Sequence, residues 1–198
     1  VYLHADKDRL LMQGSHVLNI QQDESDSLVA ALNDLYRDDP WYFEQYSPSQ
    51  WYMALDAEPA SSFASYHAAL GRSIDSLLPD GSDKTLWHRF INEVQMFMHG
   101  HDINQQRWAN QQLPINSIWC WGVGKIPAAV NAKWQRVFCE SHFAHGLAKL
   151  SGIPVMSLPD NANNLLSENS CNEKECHELV VLPLHEQGLL SLEDADFS

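Results

Sequence analysis

Between His101 and Lys125 the chain reads HDINQQRWANQQLPINSIWCWGVGK, and this stretch holds the residues best suited to gripping an anion. Asn104 and Arg107 are three apart, so on a helix they share a face. A planar guanidinium with an amide beside it suits a carboxylate or a phosphate. Gly122-Val123-Gly124-Lys125 follows an apolar run of strand type. Glycines there let backbone N–H groups approach an anion, and the lysine adds a point charge. From Ile103 to Pro159, five Lys/Arg (Arg107, Lys125, Lys133, Arg136, Lys149) stand against one acid, Glu140, a local charge of +4 inside a chain of −14. An acidic protein that gathers its cations in one window is expected to use them on a small phosphorylated or carboxylate ligand. Each piece also has a plainer reading. Gly-x-Gly-Lys can simply end a strand. It is not a Walker-type loop, because G-x-x-x-x-G-K-[ST] is absent and Ile126-Pro127 follows the lysine. Arg107 can pair locally, and Asn104 can cap its helix.

Other groupings carry less chemistry. His99-x-His101 with Asp102 has the donor types of a metal site, but a histidine at a helix end is favoured there by the helix dipole alone. Cys171, Cys176, His177 and His185 form a loose Cys/His set whose spacing departs from that of zinc ribbons. Incidental or buried thiols are the plainer reading of the cysteines. No G-x-S-x-G or other activated serine or cysteine is recognisable. Trp119 and Trp121 would share one face of a strand, lining a pocket or filling the core.

The elements that must position these residues follow from spacing. Asp8–Gln13 and His16–Ile20 read as strands around a turn at Gly14. Asp23–Tyr36 has helical spacing, with Asp23 and Glu24 suiting its first turn. Trp41–Gln45 and Trp51–Leu55 read as a hairpin across Ser47-Pro48-Ser49. Lys84–His99 is a helix with Trp87, Phe90/Ile91, Val94 and Phe97/Met98 on one side, capped by Ser82 or Asp83. A short helix follows over Gln105–Gln111, and Ile115–Trp121 is the best candidate for a buried strand. Val130–Leu150 reads as a helix, with Val155–Leu158 and Leu179–Leu184 as short strands and Asp160–Asn172 as loop. The class is mixed α and β (α+β): a largely antiparallel sheet covered by helices to about residue 130, then a C-terminal α/β part.

Bulk properties narrow the function. No window is apolar for 18 residues, so no helix is expected to span a membrane. The charge of −14 argues against non-specific nucleic-acid binding. Four cysteines without regular spacing and no export signal fit reduced thiols and a cytoplasmic location. The chain starts at Val1 without Met, so it is expected to be a piece of something longer.

The segment His101-Asp102-Ile103-Asn104-x-x-Arg107, then Asn116-Ser117-Ile118-Trp119-x-Trp121-Gly122-x-Gly124-Lys125, resembles the archaeal-type cofactor-independent phosphoglycerate mutases of the alkaline phosphatase superfamily. These carry H-P-x-N-x-x-R and then N-x-I-W-x-W-G-x-G-K. The chain is also similar to bacterial predicted phosphoglycerate mutase-like proteins. Asp26–Tyr36 and Trp51–Leu55 look like the opening helix and next strand of the family's inserted domain. Ala144–Pro159 looks like a later family segment. The resemblance implies a substrate-binding domain over residues 1–130 and part of an α/β metalloenzyme core over 131–198. It places Asn104, Arg107, Asn116, Gly122, Gly124 and Lys125 near the phosphate or carboxylate of a substrate. The chain departs from the family in three places. Gln50-Trp51-Tyr52 stands where the family has Y-R-H, Asp102 replaces a proline, and Val180–Leu189 lacks the Asp and second His that supply metal ligands. The family's Asp-Gly metal motif and Ser/Thr nucleophile would lie before Val1. No cofactor is evident in this chain; Mn or Mg is implied only if the isomerase activity is retained. Three expectations follow: a phosphoryl-carboxylate binding unit without its own catalysis, an active mutase completed by flanking sequence, or a regulatory or interaction module.

Overall fold

A computed structural model of the chain describes residues 1–159, 161 and 177–181. It divides into two compact units, Val1–Lys125 and Ile126–Ser198.

The first unit opens with an antiparallel pair, β1 (Tyr2–Asp6) and β2 (Arg9–Gln13), in the register Leu3↔Met12. The expected partner strand over His16–Ile20 is instead a single 3-10 turn over Ser15–Val17. Leu18 is buried just after it, and the Leu18 carbonyl is taken by a side chain rather than by a neighbouring strand. Helix α1 (Gln22–Leu35) starts with a capping box, in which the Glu24 carboxylate accepts the Gln21 N–H at 2.8 Å. Of the apolar set its spacing predicts (Leu28, Ala31, Leu32 and Leu35) it buries Leu28 and Leu32, and Val29 beside them, while Leu35 is exposed.

The hairpin forms as expected, slightly longer, as β3 (Trp41–Ser47) and β4 (Gln50–Leu55) with Phe43↔Met53 in register. Alternation sorts its side chains. Trp41, Phe43, Trp51, Met53 and Leu55 turn into the core, while Tyr42, Glu44, Tyr46, Tyr52 and Ala54 face out. A small pair, β5 (Ser61–Ser62) and β6 (Asp80–Gly81), follows around the short helix α2 (Tyr66–Ala69). Gly81 is required there, because a Cβ would stand 2.2 Å from the Ala60 carbonyl oxygen. Helix α3 (Lys84–Gly100) buries Trp87, Phe90, Ile91, Val94 and Met98 of the expected set, and Phe97 is half-buried at its edge. Asp83 holds its N-cap position without capping it. Its carboxylate reaches across to the Ala60 N–H at 2.9 Å, the Ser61 hydroxyl and the Trp87 indole N–H at 3.3 Å. Phe90 is the hub of the core, edge-on to Trp41 at 5.0 Å and parallel to Phe43 at 6.2 Å. Helix α4 (Asp102–Ala109) completes the ordered elements of this unit.

The second unit contains β7 (Arg136–Cys139), α5 (His142–Leu150), β8 (Val155–Met156) and β9 (Glu178–Val181). Its sheet is parallel in the order β8-β7-β9. Val137, Cys139 and Ala148 form its core. Arg136 pairs with Glu178 across the β7–β9 edge. The continuous helix expected over Val130–Leu150 is corrected to a strand followed by a helix. Arg136–Cys139 is a short apolar run buried in a parallel sheet, and periodicity alone cannot tell such a run from a helix segment.

The class is therefore mixed α and β, as read from the sequence, but the antiparallel part is not one sheet. It is three separate two-stranded pairs, with the larger sheet of the second unit parallel. Among the described residues no helix is long and apolar enough to cross a membrane.

Candidate functional site

The chain turns sharply between α3 and α4. His101 takes an extended backbone conformation, and its Nδ1 accepts the Ile103 N–H at 3.2 Å. That turn aims Asn104 and Arg107 inward, and their relative exposures are 0% and 1%. The Asn104 amide donates to the carbonyls of Met98 at 2.6 Å and Ile115 at 2.8 Å, and its Oδ1 accepts the Ile115 N–H at 2.8 Å. Arg107 Nη1 donates to both oxygens of Glu24, at 2.8 and 2.7 Å. Its Nε donates to the Leu113 carbonyl at 2.7 Å, and its Nη2 to the Leu18 carbonyl. The planar fork thus ties α4 to the first turn of α1 and to the segment before it. Spacing alone marks Glu24 only as a first-turn acid. It serves both the α1 capping box and the guanidinium. The sequence signal for that second role, an acid 83 positions from the arginine, is not visible to local spacing.

Ile115–Trp121 is not the strand that its composition predicts; it runs outside any ladder. Its backbone is satisfied by side-chain amides instead. Asn104 brackets Ile115. Asn116 brackets Leu3 of β1 from the other direction, accepting the Leu3 N–H at 2.7 Å and donating to the Leu3 carbonyl at 2.9 Å. The Val1 nitrogen donates to the Ser117 carbonyl at 2.9 Å. An amide that gives one bond and takes one from the same residue presents what a neighbouring strand presents, without needing a strand there. Asn33 repeats the device on Phe43 of β3, with both bonds at 2.8 Å. Sequence reading passed over Asn33 because an asparagine within a helix pattern has no outward mark of such a partner.

The second half of the motif lies on the surface. Gly122, Val123, Gly124 and Lys125 are all exposed. Gly122 has φ +70, the left-handed region that a side chain disfavours, so glycine is needed there. At Gly124 neither a positive φ nor a close neighbour imposes glycine. The Lys125 ammonium is 77% exposed and sits 3.1 Å from Glu58, itself 53% exposed. The two cations of the motif thus sit apart in character: the guanidinium is enclosed, and the ammonium is in solvent. The two tryptophans also separate. Trp119 packs into the smaller core of the first unit and donates its indole N–H to the Ala64 carbonyl at 3.0 Å, while Trp121 is exposed beside the Tyr66 ring. A crevice beside Trp119 and Cys120, walled by Phe63, Leu77, Pro79 and Ile91, is too tight to admit a water molecule. Burial there pushes the Cys120 thiol up to about 12.

His99 lies against the Trp108 ring at 5.4 Å, and His101 against Phe97 at 5.4 Å as well as capping α4. Among the described residues no three His, Cys, Asp or Glu side chains converge to hold a metal ion. The Cys171, Cys176 and His185 grouping and the stretch beyond Val181 lie outside the described residues.

No protein-family model matches the chain. Its curated relatives include the 2,3-bisphosphoglycerate-independent phosphoglycerate mutase of Methanosarcina mazei, 34% identical over 61 residues, which are 31% of this chain and 15% of that protein. The probable 2,3-bisphosphoglycerate-independent phosphoglycerate mutase of Geobacter sulfurreducens is 27% identical over 135 residues, 66% of this chain and 33% of that protein. The matched region is thus a third or less of the length of these relatives. Among solved structures, the cofactor-independent phosphoglycerate mutase from Thermoplasma acidophilum aligns with a TM-score of 0.46 at 16% identity, over 91% of this chain and 52% of that one. The chain bears a distant and partial resemblance to these mutases.

Proposed function

We propose that this chain is a binding unit of a phosphoglycerate-mutase-like protein, and that its contact with a phosphorylated carboxylate falls to the Gly122–Lys125 turn. In this reading Asn104, Arg107 and Asn116 do not touch the ligand. They hold the segment that delivers the turn. One contrast carries the reading: Arg107 is enclosed with its fork engaged by Glu24 and two carbonyls, whereas the Lys125 ammonium is 77% exposed. A surface pair such as Lys125–Glu58 is worth about 0–1 kcal/mol, so a phosphate dianion can displace Glu58. The ligand class comes from the names of the relatives, which are phosphoglycerate mutases. The described residues bring no metal centre to the reaction. In this proposal catalysis is not a property of the unit itself.

Calorimetry of the full chain with 3-phosphoglycerate tests the assignment. Lys125→Ala is expected to weaken binding at least tenfold with an unchanged thermal midpoint, and Glu58→Gln to strengthen it. Wild-type affinity retained in Lys125→Ala rejects the turn as the contact. A second reading is an interaction module that kept the fold and lost the ligand. It is favoured by both motif cations having a carboxylate partner. The absence of any heat with the wild-type chain selects it.

A further inference from the structure

The hairpin β3–β4 has one face that the core does not use. Tyr42, Glu44 and Tyr46 alternate along β3 on the solvent side, and Tyr52 of β4 lies directly across from Glu44. The three tyrosines are 60%, 45% and 49% exposed for Tyr42, Tyr46 and Tyr52. Tyr46 and Tyr52 meet edge to face at 6.1 Å. Strand geometry sets the remaining spacings. Neighbours two apart on β3 stand about 7 Å from each other, and directly opposed Cβ atoms about 5 Å. One carboxylate therefore sits among three phenol rings on a flat, twisted ribbon. Isolated exposed aromatics are ordinary, but three on one two-stranded ribbon are not scattered. Tyrosine is also a residue that interface centres favour.

Acidic groups outnumber basic ones around this face, and Arg89, near Asp39, is itself paired with Glu93. Asp38 and Asp39 lead into β3 and Asp56 follows β4, all exposed and at the same end of the ribbon, since Trp41 pairs with Leu55. The nearby Arg37 is engaged by Asp34 at 3.5 Å. A guanidinium meets both demands at once. It can pair with a carboxylate through its edge while its plane lies on a tyrosine ring. An ammonium can do the first but stacks less well. The surface is ridged at strand spacing, which suits an extended backbone laid across it.

We propose that the outer face of β3–β4, centred on Tyr42, Glu44 and Tyr52, docks an arginine-bearing extended segment of a partner protein. Glu44 takes the arginine edge, and the tyrosines take its plane and stem. Asp38, Asp39 and Asp56 steer the segment in, so association slows and weakens as salt rises.

The test titrates the full chain into a fluorescently labelled Arg-Gly-Arg-Gly-Arg-Gly-Arg peptide at 50 mM salt, read by anisotropy. Glu44→Gln alone and Tyr42→Ser with Tyr52→Ser together are each expected to weaken binding about tenfold or more, as loss of a central interface anchor does. Asp8→Asn, remote on the β1–β2 turn, is expected to leave it unchanged, and the lysine version of the peptide to bind severalfold more weakly. These substitutions point outward, so circular dichroism should match the wild type. Three outcomes overturn the proposal: no binding by the wild-type chain, equal binding by the tyrosine variant, or self-association of the chain that the tyrosine variant abolishes. The second means attraction by net charge alone, and the third assigns the face to another copy of this chain.

Discussion

The His101–Lys125 motif divides into two halves with opposite fates. Asn104, Arg107 and Asn116 are drawn into hydrogen bonds with backbone and with Glu24, while Gly122, Gly124 and Lys125 remain at the surface. The residue types are those of an anion site throughout. What separates them is the local supply of backbone partners. The 113–118 segment belongs to no ladder, so its N–H and C=O groups recruit the nearest side chains able to give and take bonds. At Gly122–Lys125 the chain is exposed, and among the described residues no side chain bonds to its backbone. An amide or guanidinium thus becomes scaffold where main-chain groups are buried without a strand.

The strongest way to break this contrast is at the ion pair. Arg107 and Glu24 side chains are 2% and 14% exposed. Arg107→Ala strands the Glu24 carboxylate and leaves the Leu18 and Leu113 carbonyls without their donor, and is expected to cost about 3–5 kcal/mol in urea unfolding. Glu24→Ala should cost a comparable amount. A matched apolar exchange at both positions, Arg107→Met with Glu24→Leu, should recover much of the loss, because removing both charges removes the desolvation penalty. Equal destabilisation by the double and single variants would show that the carbonyl contacts, not the charges, dominate.

Asn104→Ala comes next. It leaves the Met98 carbonyl and both main-chain groups of Ile115 without their amide, inside the protein. The expected loss is about 3 kcal/mol, since each orphaned buried group costs roughly 1–3 kcal/mol and the Met98 carbonyl keeps the His101 N–H at 3.2 Å. Asn104→Asp keeps the acceptor and removes two donated bonds, so it should be no milder. Asn116→Ala, at a half-buried site, should cost less than Asn104→Ala.

These numbers bear on how far the sequence could be read. The long helices and the hairpin were legible because each carries its own period: Leu28 and Leu32 in α1, Phe90 and Val94 in α3, and Trp41/Phe43 against Trp51/Met53 in the ribbon. Elements whose partners are distant were not. Ile115–Trp121 has strand composition but no strand beside it, and the amides that replace one come from Asn104 and Asn116. Arg136–Cys139 reads like helix until β8 and β9, at Val155 and Glu178, make it the middle of a parallel sheet. The candidate site was legible as a list of residue types. Its division into buried and exposed halves depended on Glu24, which is joined to Arg107 only by the fold.

A third, smaller effect is a pH dependence at Asp83. Hydrogen bonds from the Ser61 hydroxyl and then the Ala60 N–H hold its carboxyl below the ordinary value of 3.8. A carboxyl whose folded pKa is depressed stabilises fully above the unfolded value, and loses that contribution as pH falls through the folded one. Thermal midpoints of wild type and Asp83→Asn should therefore differ most near neutral pH and converge below about pH 4. A gap that stays constant into acid would assign the effect to packing of the Asp83–Trp87 contact instead.

The smallest expected change in stability belongs to Lys125, and its smallness sharpens the comparison. The ammonium meets Glu58 in solvent, where long side chains lose entropy on pairing and salt screens the attraction. Lys125→Ala should move the unfolding free energy by no more than about 0.5 kcal/mol, and raising the salt should erase even that. The same motif then contains one cation whose removal unfolds and one whose removal is silent for folding. A large loss on Lys125→Ala would mean that the turn is held as firmly as the buried half, and the division drawn above would have no physical basis. A silent Lys125→Ala that also loses affinity for 3-phosphoglycerate would place the ligand contact where stability does not need it, on the side of the motif that the backbone left free.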